Sequence, residues 1–220
     1  LTIAEIASRL DKYHTEEPYE EGEYKFSLVT EVVGLVPKGR LLRGVYSHDF
    51  MTQIFHRGKI LPTPRTVEAL FSFSDYQGTT FLTIVEKKRL ANSVANDLSK
   101  ILFEKVGGIL ETRISPEALK NFHMKNPEDT KITFFDNVDI PNVDKLSLYG
   151  PDLINTSLFE EYGKHGDLWY VVARSRAYGY VVGITRDASI TVFNLSEKES
   201  IKSLIERAQI FIESSKLLFN

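Results

Sequence analysis

Residues 34–41 have the glycine spacing of a phosphate-binding loop, in the order Gly-Leu-Val-Pro-Lys-Gly-Arg-Leu. The segment lacks the Lys-Ser/Thr pair with which such loops contact phosphates and Mg²⁺. Pro37 also removes one backbone amide that a phosphate cradle would use. We therefore interpret residues 34–41 as a tight turn.

Ser47, His48 and Asp49 are the residue types of a hydrolase triad, but they are consecutive in the chain. A triad is assembled in space, and three adjacent residues point in different directions. The five histidines are dispersed, and His48 and His56 are eight residues apart, which does not match the i, i+4 spacing of a helical metal site. We predict no catalytic residue, no metal site and no cofactor.

Charge is distributed unevenly along the first third of the chain. Residues 1–35 hold eight acidic and three basic residues, whereas residues 36–65 hold six basic residues and one acidic residue. The simplest prediction is that the acidic stretch neutralises the basic one within the fold. The alternative is a nucleic-acid-binding protein that also uses a hairpin at residues 174–180, where basic and aromatic side chains alternate. Its candidate residues are Lys38, Arg40, Arg43, Arg57, Lys59, Arg65, Arg174, Arg176 and Tyr178.

The end of the chain carries apolar side chains that fall away from the main stripe of the last predicted helix. Because an apolar end left in water is unusual, we predict an interaction surface there. The strand predicted at residues 189–193 also has an edge that another strand would cover. The other half of the chain could cover this edge and give a pseudo-twofold monomer, but together the two features favour a homodimer. The surface residues are Ile210, Leu217, Leu218 and Phe219.

The bulk composition is typical of a soluble globular protein, with 42% hydrophobic and 26% charged residues among 220. Cysteine is absent, which excludes disulfides and thiolate chemistry. No apolar run approaches the roughly 18–20 residues that cross a bilayer. Two methionines and three glutamines favour a thermophile, archaeal-like protein of the cytoplasm.

The elements that would position these residues are clearest after residue 167. Strands are predicted at residues 168–174, 178–185 and 189–193, because branched and aromatic side chains alternate there between short polar breaks. Ser196 and Glu199 have the spacing of a capping box and predict a long helix with an apolar stripe over residues 201–212. We expect Trp169, Tyr170 or Val171, Val182, Ile184, Ile190, Val192, Leu204 and Ile205 to share one core.

The earlier part of the chain predicts a further set of short elements. Thr2 and Glu5 predict a capped first helix, and the acidic residues 15–23 predict a solvated connection. Ser47 as a cap and Gly58 as a stop predict a short helix. Further strands are predicted at residues 24–33, 41–46, 67–73, 79–86, 132–135 and 145–149, and further helices at 92–106, 115–124 and 155–162.

Polar residues 125–130 predict the boundary between an N-terminal half, residues 1–124, and a C-terminal half, residues 131–220. The predicted class is α+β. Each half has a mainly antiparallel sheet, a short helix and a long covering helix. The similar order of elements predicts internal duplication, and the alternative is chance similarity between two units of equal size.

Residues 131–215 resemble the roadblock family, which is profilin-like, through the three strands near the end and the helix at residues 201–212. The resemblance implies a non-enzymatic platform that dimerises and docks GTPases or motor components. The saddle of TATA-box binding proteins is similar too, but it requires four consecutive strands where we predict three. The predicted function is a self-associating protein-interaction or scaffold module. The alternatives are a nucleic-acid binder and an enzyme with an unrecognised site.

Overall fold

The computed structural model describes residues 1–125, 130–174 and 181–193. The chain divides into two compact units, Leu1–Leu110 and Glu111–Asn220. The division therefore falls before the predicted boundary at residues 125–130, which lies inside the second unit. The class is α+β, with one five-stranded antiparallel sheet in each unit.

The first unit is an antiparallel meander between two helices, and each strand pairs with the next strand in sequence. In chain order the elements are α1 (Ile3–Leu10), β1 (His14–Glu21), β2 (Tyr24–Lys38), β3 (Leu41–His56), β4 (Lys59–Tyr76), β5 (Thr79–Val85) and α2 (Lys88–Phe103).

Helix α1 begins as the sequence predicts. The Thr2 hydroxyl accepts a hydrogen bond from the Glu5 amide at 3.2 Å, and the Glu5 carboxylate accepts one from the Thr2 amide at 2.7 Å. This capping box satisfies two amides that have no partner inside the helix. Ile6 and Leu10 are then buried on one face of the helix.

One face of the first sheet packs against both helices to form a core. Gly44 on β3 makes room there, because a Cβ atom at this position would lie 2.8 Å from the ring of Phe71. Helix α2 begins at Lys88 rather than at residues 92–93, and Glu104 ends it in a left-handed conformation with φ 57°. The buried core residues are Ile6, Leu10, Val32, Leu42, Tyr46, Ala69, Phe71, Phe73, Val94, Leu98 and Leu102.

Two predictions for the first unit were wrong. Residues 14–21 are strand β1 and not a solvated connection, because Pro18 is tolerated on the outer strand of a sheet. The helix predicted between Ser47 and Gly58 is the outer half of β3. The spacing of Met51, Ile54 and Phe55 is typical of a helix, but pairing with β4 along the whole of β3 overrides it.

The second unit has shorter strands. Its described elements are α3 (Pro116–Lys125), β6 (Thr130–Asp136), β7 (Leu146–Tyr149), a 3₁₀ turn (Leu153–Asn155), α4 (Ser157–His165), β8 (Asp167–Arg174), β9 (Val181–Thr185) and β10 (Ile190–Phe193). The strand order is β10-β9-β8-β6-β7. The antiparallel pairing of β8, β9 and β10 confirms the predicted meander.

Most of the predicted core of the second unit lies in its described part. Val171, Val182 and Ile184 are fully buried, and Ile190 and Val192 pack against them. Trp169 and Tyr170 are half-buried and contact the ring of Phe134, at centroid distances of 5.8 and 5.3 Å. Leu204, Ile205 and the predicted final helix lie outside the described residues.

The two sheets share a strand number but differ in strand order. Residues 1–110 contain no helix between β1 and β5, whereas the 3₁₀ turn and α4 follow β7 in the second unit. Internal duplication stays a prediction. Within the described residues, no helix is both long and apolar enough to span a membrane.

Candidate interaction surface

Two hairpin arms leave the same end of the first sheet. The ladder between β2 and β3 ends at the pair Thr30 and His48. Beyond that pair, the ladders of the described residues join β2 to β1 and β3 to β4 only. We call residues 15–29 the acidic arm and residues 50–65 the basic arm.

Asp49 lies where the arms separate. Its carboxylate accepts a hydrogen bond from the Thr66 hydroxyl at 2.6 Å and another from the Val29 amide at 3.0 Å. These two bonds lower the pKa of Asp49 below its ordinary value. The side chain thus takes the Val29 amide that would otherwise extend the ladder between β2 and β3.

The acidic arm carries five glutamates and one lysine. Glu16 and Glu31 flank His14 at 3.1 and 3.3 Å, and they raise the pKa of its imidazole. Lys25 pairs with Glu20 at 3.1 Å. The ion pairs of this arm are therefore formed with itself and with the adjoining ends of β1 and β2.

The basic arm ends in a two-residue turn formed by Arg57 and Gly58, both with positive φ, at 46° and 80°. Such turns match the twist of paired strands and hold a hairpin tip in one conformation. Next to the turn, Phe55 is 74% exposed and Ile60 is 62% exposed. Ile54, on the opposite face, is 41% exposed. Apolar side chains therefore lie in solvent on both faces of the tip.

The basic arm has no acidic residue and three permanently charged cations, Arg57, Lys59 and Arg65. Among the described residues, no ion pair links any of them to the acidic arm. Direct contacts with the acidic arm therefore do not neutralise these three cations in the described part of the chain. The tip remains both cationic and apolar.

Within the first unit, the proposed nucleic-acid residues do not form one surface. Lys38 and Arg40 lie at the turn between β2 and β3, separated from Arg57 and Lys59 by the whole of β3, about 50 Å of strand. Arg43 is half-buried within β3, Arg65 lies on the basic arm, and Arg174 ends β8 in the second unit. Arg176 and Tyr178 lie outside the described residues, as do Ile210, Leu217, Leu218 and Phe219.

The triad residue types do not converge. Ser47, His48 and Asp49 are consecutive in a strand, so His48 projects from the opposite face to the other two. His48 instead bonds the Thr30 hydroxyl at 2.8 Å. Of residues 34–41, only Gly39 and Arg40 form the turn, while residues 34–38 belong to β2, which has a bulge between Val33 and Val36.

The second unit contains one buried imidazole. His123 on α3 is fully buried against Phe159, at a ring distance of 4.6 Å, and neither of its nitrogens has a hydrogen-bond partner among the described residues. Burial lowers its pKa to about 4. At neutral pH this imidazole is uncharged, and it acts as an aromatic core residue.

A cavity of about 830 Å³ lies between α3, the 3₁₀ turn and α4. Buried Phe135, Phe159 and Leu168 line it together with exposed charged residues of the two helices, such as Lys120 and Glu160. In the described ranges, no group of three or more histidine or acidic side chains is arranged to hold a metal ion. The cavity offers an apolar surface with charged margins.

Sequence reasoning missed the basic arm. The dipeptide Arg57-Gly58 between His56 and Lys59 was the available signal, because X-Gly between two strand-forming runs is typical of a hairpin. Comparison of the chain with protein-family models, curated proteins and solved structures gives no match.

Proposed function

We propose that this chain is a non-enzymatic protein-interaction module whose main contact element is the basic arm, and that the module self-associates. The observation that supports the proposal is the apolar tip of the arm, where Phe55 and Ile60 are 74% and 62% exposed. Exposed large apolar side chains that cluster at one place, with charged residues around them, are typical of interaction sites.

The tip has the composition of an interface anchor. Phe55 and Ile60 are cross-strand partners on one face, and Ile54 and Leu61 are partners on the other. Arg57 flanks them, and aromatic and arginine side chains are enriched among residues that dominate binding energy. A ribbon that is apolar on both faces fits a concave surface better than a flat one, because a groove would cover both faces at once.

The arm also costs little to order on binding. Its two strands pair from Phe50 with Arg65 out to His56 with Lys59, and the two-residue turn fixes the tip. A preformed hairpin loses less conformational entropy on association than a flexible loop does. More of the apolar contact energy then contributes to affinity.

The test is affinity capture from the native host, with nuclease treatment, by the full chain and by a Phe55→Ser, Ile60→Thr variant. We expect a protein partner that the wild type retains and the variant loses by roughly tenfold or more, as for the removal of two anchor residues. Val36→Thr is the matched control, because Val36 is 57% exposed but lies at the other end of β2. Equal capture by the wild type and the arm variant would contradict the proposal.

The second candidate is nucleic-acid binding by the same tip, which the charges of Arg57 and Lys59 favour, because no described residue forms an ion pair with either of them. Binding of this kind weakens steeply with salt, because each neutralised phosphate releases counterions. An Arg57→Glu, Lys59→Glu variant would then lose binding to duplex and single strands. The five glutamates of the neighbouring arm disfavour phosphates, so we expect no binding at low salt in an electrophoretic shift assay.

A further inference from the structure

The gap between the two arms is bounded by two open strand edges. We call this gap the fork; its walls are residues 24–29 of β2 and residues 49–56 of β3. β2 pairs with β1 on its far side, and β3 pairs with β4 on its far side. Neither wall pairs with the other beyond Thr30 and His48.

On the β2 wall, the direction of the backbone groups follows from two hydrogen bonds. The Val32 amide donates to the Tyr13 carbonyl at 3.0 Å, on the β1 side. The Val29 amide donates to Asp49 at 3.0 Å, on the β3 side. Because successive backbone groups alternate in direction along a strand, the amides and carbonyls of Ser27 and Lys25 face the fork.

The β3 wall follows the same rule. The Asp75 amide donates to the Arg40 carbonyl at 3.0 Å, so even-numbered residues of β3 bond to β4. The backbone groups of the odd-numbered residues therefore point away from β4 and into the fork. Those residues are Met51, Gln53 and Phe55. In the described part of the chain, no ladder pairs these residues, or Lys25 and Ser27, with a strand on the fork side.

The outer edges of the arms are blocked, and the fork walls are not. Pro18 lies on the outer strand of the acidic arm, and Pro62 and Pro64 lie on the outer strand of the basic arm. Proline has no amide hydrogen and prevents a further strand from pairing. Neither fork wall contains a proline. Of the four edges of the two arms, proline therefore closes the two outer ones and leaves open the two that face the fork.

We propose that the fork is the self-association surface of the protein, and that the acidic arm of one copy pairs as strands with the basic arm of a second copy. This inference rests on the self-association in the proposed function. Charge complementarity selects the occupant. One arm carries five glutamates against one lysine, and the other carries three cations and no acid.

The arms are prevented from closing on each other within one chain. The Asp49 carboxylate occupies the Val29 amide that would continue the ladder, and the arms separate at this point. In a two-fold dimer, β2 of each copy pairs with β3 of the other, so both forks are filled at once. We continue the register of β2 with β3 outward and apply it between the two copies. The turn with Glu21 and Glu23 of one copy then lies within about two residues of the turn with Arg57 and Lys59 of the other.

The first test uses charge reversal in the full chain, followed by sedimentation at micromolar concentration. We expect a wild-type dimer that high salt weakens. An Arg57→Glu, Lys59→Glu variant and a Glu21→Lys, Glu23→Lys variant should each dimerise at least about tenfold more weakly. An equimolar mixture of the two variants should form dimers again, because each acidic tip then faces a basic tip. A monomeric wild type, or variants that dimerise as well as the wild type, would overturn the proposal.

The second test uses the absence of cysteine from the chain. A Ser27→Cys copy mixed with a Met51→Cys copy should form an intermolecular disulfide on mild oxidation, because these positions oppose each other in the continued register. The control places cysteines on the outer edges, as Glu17→Cys mixed with Thr63→Cys, and should not crosslink. Equal crosslinking of both mixtures would contradict the strand pairing.

The two proposals fail in different ways. If the wild type is monomeric but the Phe55→Ser, Ile60→Thr variant loses the captured partner, the fork dimer is wrong and the interaction module stands. Hydrogen exchange at the Ser27 and Gln53 amides can be measured with and without the purified captured protein. If the two amides are protected only when that protein is present, the fork binds another protein and the dimer is wrong.

Discussion

Phe55 and Ile60 of the first unit are apolar side chains that lie in water, whereas His123 of the second unit is a polar side chain that is kept out of water. Phe55 and Ile60 extend into solvent on a two-stranded arm, although burial of either would stabilise a fold by about 1.5–3 kcal/mol. His123 is fully buried without a hydrogen bond in the described region, at a cost of about 1–3 kcal/mol. These residues thus depart in opposite directions from the rule that apolar side chains are buried and polar ones are exposed.

The difference separates surfaces that serve association from surfaces that serve packing. Nothing in the first sheet requires the arm, because its core lies between the body of the sheet and helices α1 and α2. In the second unit the imidazole completes an aromatic core with Phe135 and Phe159. Substitutions should therefore have large effects on stability in the cores and small ones on the arm.

The largest expected effect is in the first core. Phe71→Ala should lower the free energy of unfolding by about 3–5 kcal/mol, because Phe71 is fully buried and leaves a cavity beside Gly44. Urea denaturation followed by circular dichroism measures the loss. A loss below about 1 kcal/mol would show that this core packs loosely.

The next effect depends on pH. The folded pKa of His123 is about 4, below the ordinary value of 6.5, so between these values the unfolded chain binds more protons than the folded chain. The contribution of the neutral His123 imidazole to the free energy of unfolding is therefore present above pH 6.5 and is lost as the pH falls towards 4. It amounts to about 3 kcal/mol. The charge of Asp152 opposes the shift.

The measurement is the free energy of unfolding between pH 7 and pH 4 for the wild type and for His123→Leu. The variant should lose the part of the pH dependence that comes from this imidazole. Identical slopes for the two proteins would mean that His123 is protonated in the folded state as readily as in the unfolded state.

A smaller effect is expected where the arms separate. Asp49→Ala removes the acceptor of the Val29 amide and the Thr66 hydroxyl and should cost about 1 kcal/mol. The Val29 amide should also exchange its hydrogen faster. Asp75→Ala is the matched control, since Asp75 accepts from the Gly78 amide at another hairpin turn, and it should leave Val29 unchanged.

The smallest effect on stability is expected at the tip. Phe55→Ser should change the free energy of unfolding by less than about 0.5 kcal/mol, because the side chain contributes little to any core. Together with a loss of partner binding, this result would separate association from folding. A loss above about 2 kcal/mol would assign Phe55 a packing role instead.

The sequence was informative where one local signal agreed with the tertiary structure. Thr2 and Glu5 predicted α1, and the alternation in residues 168–193 predicted the meander of β8, β9 and β10. These signals needed no distant partner. The same is true of the turn at Gly39.

The basic arm could not be predicted in the same way. Met51, Ile54 and Phe55 have helical spacing, and only pairing with residues 59–65 makes them a strand. The exposure of the tip depends on where the ladder between β2 and β3 ends, which Asp49 decides through its contact with Val29. Such a contact joins residues 20 positions apart and leaves no local pattern.

The prolines on the outer edges also limit how far strand addition can grow. A sheet with open edges on all sides adds copies without end and forms fibres. Here, within residues 1–110, Pro18, Pro62 and Pro64 lie only on the outer strands of the two arms. In the proposed dimer, strand addition that begins in the fork ends once two copies have filled each other, and the prolines of the outer edges keep it from continuing into a polymer.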